Sequence, residues 1–378
     1  MKNIDKILIF ILPLFILIGC ADLDLQPTDM ISEDAVKKDP KLVEAFLTKI
    51  YANANFEPNE GVGYPNQDRL TDAVIGGEYT LMAPWQNGVK ASTNVPTASG
   101  AHSRISKWHY GNIRSCNEII EILNEASFDA ATVKQQIAEA KFLRAWMYFE
   151  MAKRYGGMPL ELTPKSVDAG IDELMIPRST LKDTYDQIIS DLDAGIADLP
   201  PTAITGKATS MAARALKSRA ALFAARIAKY HPQSANGLTS IPASSAQAYY
   251  QMAHGAASAV IESGRHPLYQ GGANLVDNFS EIFYKDVAEH IFVEQYNLSL
   301  GKTHSYSGYG MPDGFKAGWG SNMHMYLSSD ARFEHTDGSP GNKHHGKFNN
   351  SVWFDIEQVI YTKDPRYLAT LFTPSNCI

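Results

Sequence analysis

The stretch AKFLRAWMYFEMAKRYGGMPL, residues 140–160, decides how the rest of this chain is read. Its apolar residues recur with the period of a helix, and Gly156-Gly157 with Pro159 just beyond supplies the stop that helix C-termini favour. The spacing predicts a helix from about Ala131 to Tyr155, with Gly157 expected at the positive φ of a helix C-cap. Within that helix Ala145, Phe149 and Ala152 set small, large and small side chains on one face. Small residues let a partner helix approach while the phenyl ring fills the gap, so this helix is suited to a stack of helices.

The same texture extends in both directions. Asp39 is placed to cap a helix with Pro40 at its first position, and Leu42, Val43, Phe46, Leu47, Ile50 and Tyr51 follow at spacings of three and four. Ile113, Cys116, Ile120 and Leu123 form another stripe. Ser179 or Thr180 opens a third, with Asp183 placed for a capping box, and Leu181, Tyr185, Ile188, Ile189 and Leu192 run along it until Pro200-Pro201. Ala-rich helices are expected from Ala208 to Lys229 and from Ala246 to Ser263, and Ile291-Phe292-Val293 reads as a short strand. Between these lie two long loops, Asn53 to about Gly100 and Gly301 to Gly320. The Ala-x3-Phe-x2-Ala spacing is that of the second helix of a tetratricopeptide unit. The expected fold class is therefore mainly α, a tetratricopeptide-like helical array with long loops and minor β.

Composition bounds the function. The chain has 378 residues, 44% of them apolar and 20% charged, which excludes disorder as the dominant state. Lys and Arg number 34 against 41 Asp and Glu, a formal charge of -7, so no nucleic-acid partner is expected. At the N-terminus, Lys2 and Lys6 precede an apolar run from Ile7 to Ile18, and Gly19 directly precedes Cys20. This is a signal peptide, 1–19, too short to span a bilayer as a helix, and it resembles the lipobox of bacterial lipoproteins. That resemblance implies cleavage before Cys20, lipidation of Cys20 and membrane attachment through the lipid anchor.

Motifs for catalysis are lacking: there is no Gly-x-Ser-x-Gly elbow, no His-Glu-x-x-His and no Walker-type loop. No metal and no cofactor are expected, since His344-His345 with His335 lie in a Gly- and Asn-rich stretch without rigidity. Cys116 falls on a helical stripe as a small core residue. Arg144, Lys153 and Arg154 are expected to make local pairs, and Trp108, just before the helix carrying Tyr110, is assigned to packing. Aromatics in the long loops are the better candidates. A sugar ring has an apolar face, and Tyr79, Trp85, Tyr309 and Trp319 are the expected ligand-binding residues.

Residues 140–160 resemble the signature helix of the SusD/RagB family, which carries an Arg-Ala, aromatic-pair, Tyr-Gly-Gly-x-Pro-Leu string. Tyr110-x2-Ile113-x3-Asn117, Ile176-Pro177-Arg178-Ser179, Tyr185-x2-Ile188-x2-Asp191-Leu192 and Lys363-Asp364-Pro365-Arg366 are similar to further family landmarks in the same order. The resemblance implies a non-catalytic, lipid-anchored protein of the outer membrane that binds a nutrient, an oligosaccharide above all. Its implied partner is a SusC-like TonB-dependent transporter; a surface glycoside hydrolase and a tetratricopeptide scaffold for envelope proteins are the alternatives. It further implies a helical domain over 20–378, divided into an N-terminal part, 20–230, and an incomplete C-terminal part, 231–378. Family members generally continue beyond this point, so the resemblance carries the expectation of a truncated chain.

Overall fold

The computed structural model describes residues 33–54, 74–75, 108–166, 168–303, 324–325, 330–343 and 360–370. The chain is mainly α-helical, as expected. Six helices form the array: α1 (Pro40–Asn53), α2 (Tyr110–Asn124), α3 (Ala130–Tyr155), α4 (Leu181–Asp198), α5 (Ser210–Tyr230) and α6 (Ala246–Glu262). Two shorter helices, α7 (Leu275–Glu281) and α8 (Pro365–Thr370), pack on each other. From α2 to α6 each long helix packs on its sequence neighbours in turn, and α1 lies against α2 and α3.

The starts of these helices obey their local chemistry. Asp39 caps α1 by accepting the Lys41 N–H at 2.9 Å, with Pro40 in the first turn. Thr180 caps α4 by accepting the Asp183 N–H at 3.1 Å, and its hydroxyl donates to the Asp183 carboxylate at 2.7 Å. Thr209 caps α5 in the same way through the Ala212 N–H at 3.0 Å. Such a cap contributes about 1 kcal/mol.

The core runs along the faces that the periodicity marks. Phe149 meets Tyr185 of α4 and Phe223 of α5 edge-on, ring centroids 6.3 and 6.0 Å away, while those two rings stack on each other at 6.5 Å. Ala145 and Ala152 flank it, fully or almost fully buried, so the small-large-small face does admit its neighbours. Where α4 meets α5, a Cβ on Gly195 would stand 3.2 Å from the Ala213 Cβ. The buried alanines 220, 221, 224, 225 and 228 of α5 permit similarly short approaches to its two neighbours.

The expected strand at Ile291-Phe292-Val293 is absent; the backbone there bends without a ladder partner. A strand needs a partner edge for its N–H and C=O groups, and here the apolar side chains of Ile291 and Phe292 dock on the helices instead. Phe292 meets Phe142 edge-on at 5.4 Å. The β structure of the described residues is one antiparallel strand pair, β1 (Val74–Ile75) with β2 (His324–Met325), in the register Val74↔Met325 and Ile75↔His324, and two isolated antiparallel bridges, Asn297↔Lys302 and His335↔Lys363. Among the described residues no helix is long and apolar enough to cross a membrane.

Candidate functional site

Several segments converge at the end of the array where α3 finishes. Tyr155 closes the helix and Gly156 follows at φ 81°, in the region that favours glycine. The positive φ expected at Gly157 therefore belongs to its neighbour. Gly157 is required for another reason: a Cβ there would fall 2.1 Å from Ser179 O and 2.8 Å from Leu181 N. Its own N–H donates to Leu238 O at 2.7 Å, and the Leu181 N–H donates to Gly237 O at 2.9 Å. Arg178 lies across the helix end, donating from Nε to Gly157 O at 2.8 Å and from Nη2 to Tyr155 O at 2.5 Å. A cation on the last carbonyls is where the helix dipole favours one.

The N-terminus of α2 sits at the same end and is pinned to the chain leaving α3. Tyr110 donates its hydroxyl to Pro159 O at 2.7 Å. The Tyr148 hydroxyl donates to Glu161 O at 3.1 Å and accepts the Glu161 N–H at 2.7 Å. Asn117 adds a third tie, from Nδ2 to Glu161 O at 2.9 Å. Burial, reinforced by the Glu161 carboxylate, pushes the Tyr110 hydroxyl well above its ordinary pKa, and burial does the same to Tyr148. Both act as neutral props that hold the segment 159–162 against α2 and α3.

On this base stands Trp108. Its ring lies 5.1 Å from Tyr110 at an interplanar angle of 57° and 5.6 Å from Tyr155 at 78°. The packing role expected for it is realised only at those contacts, because the residue remains 66% exposed. Asn112 Nδ2 donates to Asn53 O at 2.8 Å and so ties the end of α1 to the start of α2.

The site residues named from the sequence, Cys20, Tyr79, Trp85, Tyr309 and Trp319, lie outside the described residues.

Other candidates resolve into structure. Glu150 pairs with Lys153 and, at 2.7 Å, with Arg154, which are local contacts as expected. Burial works to raise the Glu150 carboxyl, but Lys153 and Arg154 overcome it and hold the group below its ordinary range. Arg144 departs from the expectation of a local pair, because it reaches Asp191 on α4. Cys116 is buried, and burial pushes its thiol up to about 12, which suits a core residue and not a nucleophile. His335 is buried with Nδ1 2.8 Å from Thr362 Oγ1, while His344 and His345 lie outside the described residues. Among the described residues no group of three or more His, Cys, Asp or Glu is placed to hold a metal ion. A cleft of about 420 Å³ opens between α3, α5 and residues 291–296, walled by Phe142, Trp146, Leu216 and Phe292, with Arg219 and Glu294 at its polar parts. Glu294 is engaged there by Lys302 at 2.7 Å.

Residues 23–222 match the model of a SusD-like family described as starch-binding and associating with the outer membrane. A SusD-like protein of Formosa agariphila is 25% identical over 210 residues, 54% of this chain and 40% of that one. A SusD-like protein of Bacteroides ovatus is 24% identical over 221 residues, 57% of this chain and 38% of its own. The matches thus span about two fifths of these curated relatives. Two crystal structures from Bacteroides fragilis share the fold. One, described as a SusD-like carbohydrate-binding protein, superposes with a TM-score of 0.64 at 19% identity over 88% of this chain and 59% of that one. The other, a SusD-like protein, gives 0.61 at 22% identity over 91% and 62%.

Proposed function

We propose, from the premise that this chain belongs to the SusD-like family, that it is a non-catalytic lipoprotein of the cell surface which captures a glycan. Lipid on Cys20 holds it to the outer membrane, and a SusC-like TonB-dependent transporter receives the ligand. The family description, starch-binding and associating with the outer membrane, supports both the ligand class and the place.

The observation that carries the reading is the match of residues 23–222 to a family model described as starch-binding and associating with the outer membrane. Tyr79, Trp85, Tyr309 and Trp319 are the proposed platforms for the sugar rings. Covering ~60 Å² of a sugar face at ~25 cal/mol/Å² yields roughly 1.5 kcal/mol per platform. Two platforms supply roughly 3 kcal/mol, while millimolar binding needs about 4 kcal/mol net, so hydrogen bonds to the hydroxyls supply the rest and the affinity is micromolar to millimolar.

Calorimetry of the full chain in detergent against maltohexaose, laminarihexaose, xylohexaose and mannohexaose tests this. Binding of at least one, without turnover in overnight incubation, is expected, and Trp85→Ala or Trp319→Ala should abolish it. Release of shorter sugars would make the protein a hydrolase instead, and silence toward every oligosaccharide would remove the glycan reading.

A further inference from the structure

We infer that Trp108, propped by Tyr110 and Tyr155 at the end of the array, is a further ligand platform on which one pyranose ring of a glycan stacks. The inference rests on the glycan reading of the preceding section and adds a residue outside the two long loops.

A large aromatic that serves as an anchor buries its faces, yet Trp108 leaves two thirds of its surface to solvent. Neither tyrosine lies flat on the indole, since both stand at steep angles to it. The ring is nevertheless held in place. Trp108 directly precedes the first turn of α2, where His109 is buried with its N–H directed to Met151 Sδ at 3.4 Å. Tyr110 is fixed by its bond to Pro159 O, and Tyr155 by its position as the last residue of α3, whose carbonyl Arg178 binds. A platform held this way loses little freedom when a ligand arrives.

The surroundings favour a sugar over a protein partner. Gly111 and Asn112 follow on α2, one without a side chain and one polar, and a Cβ on Gly111 would meet nothing within 4 Å. One exposed indole fits the small apolar face and hydroxyl rim of a pyranose. A protein interface would need about 800 Å² per partner with an apolar centre.

The test titrates whichever of the four hexasaccharides binds the full chain in detergent. Trp108→Ala is expected to weaken binding about tenfold while the melting temperature stays within about 2 °C, and Trp108→Phe to retain part of the affinity. If the parent binds and Trp108→Ala binds within about twofold of it, the platform is overturned and the glycan reading stands. A variant that loses binding together with more than about 5 °C of melting temperature marks an anchor, which overturns it too. A variant that keeps the glycan but no longer co-purifies with a transporter places a protein contact here and has the same consequence. If no hexasaccharide binds the parent, the glycan reading falls and the platform falls with it.

Discussion

Arg144 on α3 and Asp191 on α4 meet as a two-pronged ion pair, Nε to Oδ2 at 2.8 Å and Nη2 to Oδ1 at 2.7 Å, with side chains 6% and 3% exposed. The guanidinium also donates from Nη1 to Asn117 Oδ1 at 2.6 Å and to Leu162 O at 3.3 Å, so one side chain joins α2, α3, α4 and the segment after α3. Two charges taken out of water are tolerable here because the fork and its acceptors satisfy each other.

Removing one partner should therefore cost far more than removing both. Arg144→Met is expected to lose about 3–5 kcal/mol of unfolding free energy, whereas Arg144→Met combined with Asp191→Leu recovers a large part of it. Urea unfolding of the two variants and the parent checks this. A double variant no more stable than the single one would mean that the bonds to Asn117 and Leu162, and not the ion pair, dominate.

Gly157→Ala is expected to destabilise by about 1–3 kcal/mol, because its new methyl would press on Ser179 O and Leu181 N and disturb the start of α4. Gly255 on α6 is the control. A Cβ there meets nothing within 4 Å, so Gly255→Ala should stabilise by about 0.5–1 kcal/mol through helix propensity alone. Melting temperatures that fall by the same amount in both would refute the steric account.

Tyr185→Phe should be neutral or stabilising by up to about 1 kcal/mol, unlike most core substitutions. The ring is fully buried, stacked 6.5 Å from Phe223, and its hydroxyl has no hydrogen-bond partner among the described residues. Deleting an unsatisfied buried hydroxyl removes a desolvation cost without opening a cavity. A loss of more than about 1 kcal/mol would mean that the hydroxyl is bonded after all.

Glu139 supplies a pH dependence whose sign can be worked out. The carboxyl is buried, which raises its pKa, and the Lys207 ammonium 3.4 Å away offsets that only in part. The native state then holds a proton at pH values where the unfolded chain, titrating near 4.5, has lost it. Stability should fall as pH rises from 4.5 through the native value, relative to a Glu139→Gln variant that cannot titrate, and the difference should be flat below 4.5. Unfolding free energies of both proteins from pH 4 to 8 test it; a difference that grows with pH would show that Lys207 prevails over burial.

Cys20→Ala is expected to move the protein from the detergent phase to the aqueous phase after cell fractionation, since acyl chains on Cys20 are the proposed anchor. Full-length precursor that stays in the membrane through its apolar run is the contrary result.

Much of the helical array was legible because its signals are local. Periodicity over two or three turns and the caps at Asp39 and Thr180 require only neighbours in sequence, and the helices begin and end where those signals stand, to within a residue or two. Ile291-Phe292 shows the limit of that method. An apolar β-branched run is compatible with a strand, but only a partner edge makes one, and no helix-docked side chain announces itself in the run. At the candidate site the sequence supplied residue types, aromatic and loop-borne, and no more.

By itself the sequence determined the order and approximate extent of the six long helices, the small-large-small face at Ala145, Phe149 and Ala152, and the family string at residues 140–160, because each depends on spacing along the chain. Only the tertiary structure decided that Arg144 answers to Asp191, 47 residues on, that Gly157 is required by the approach of Ser179, and that Trp108 faces solvent. Those facts depend on which surfaces meet, and burial and contact between distant segments leave no period in the sequence to read.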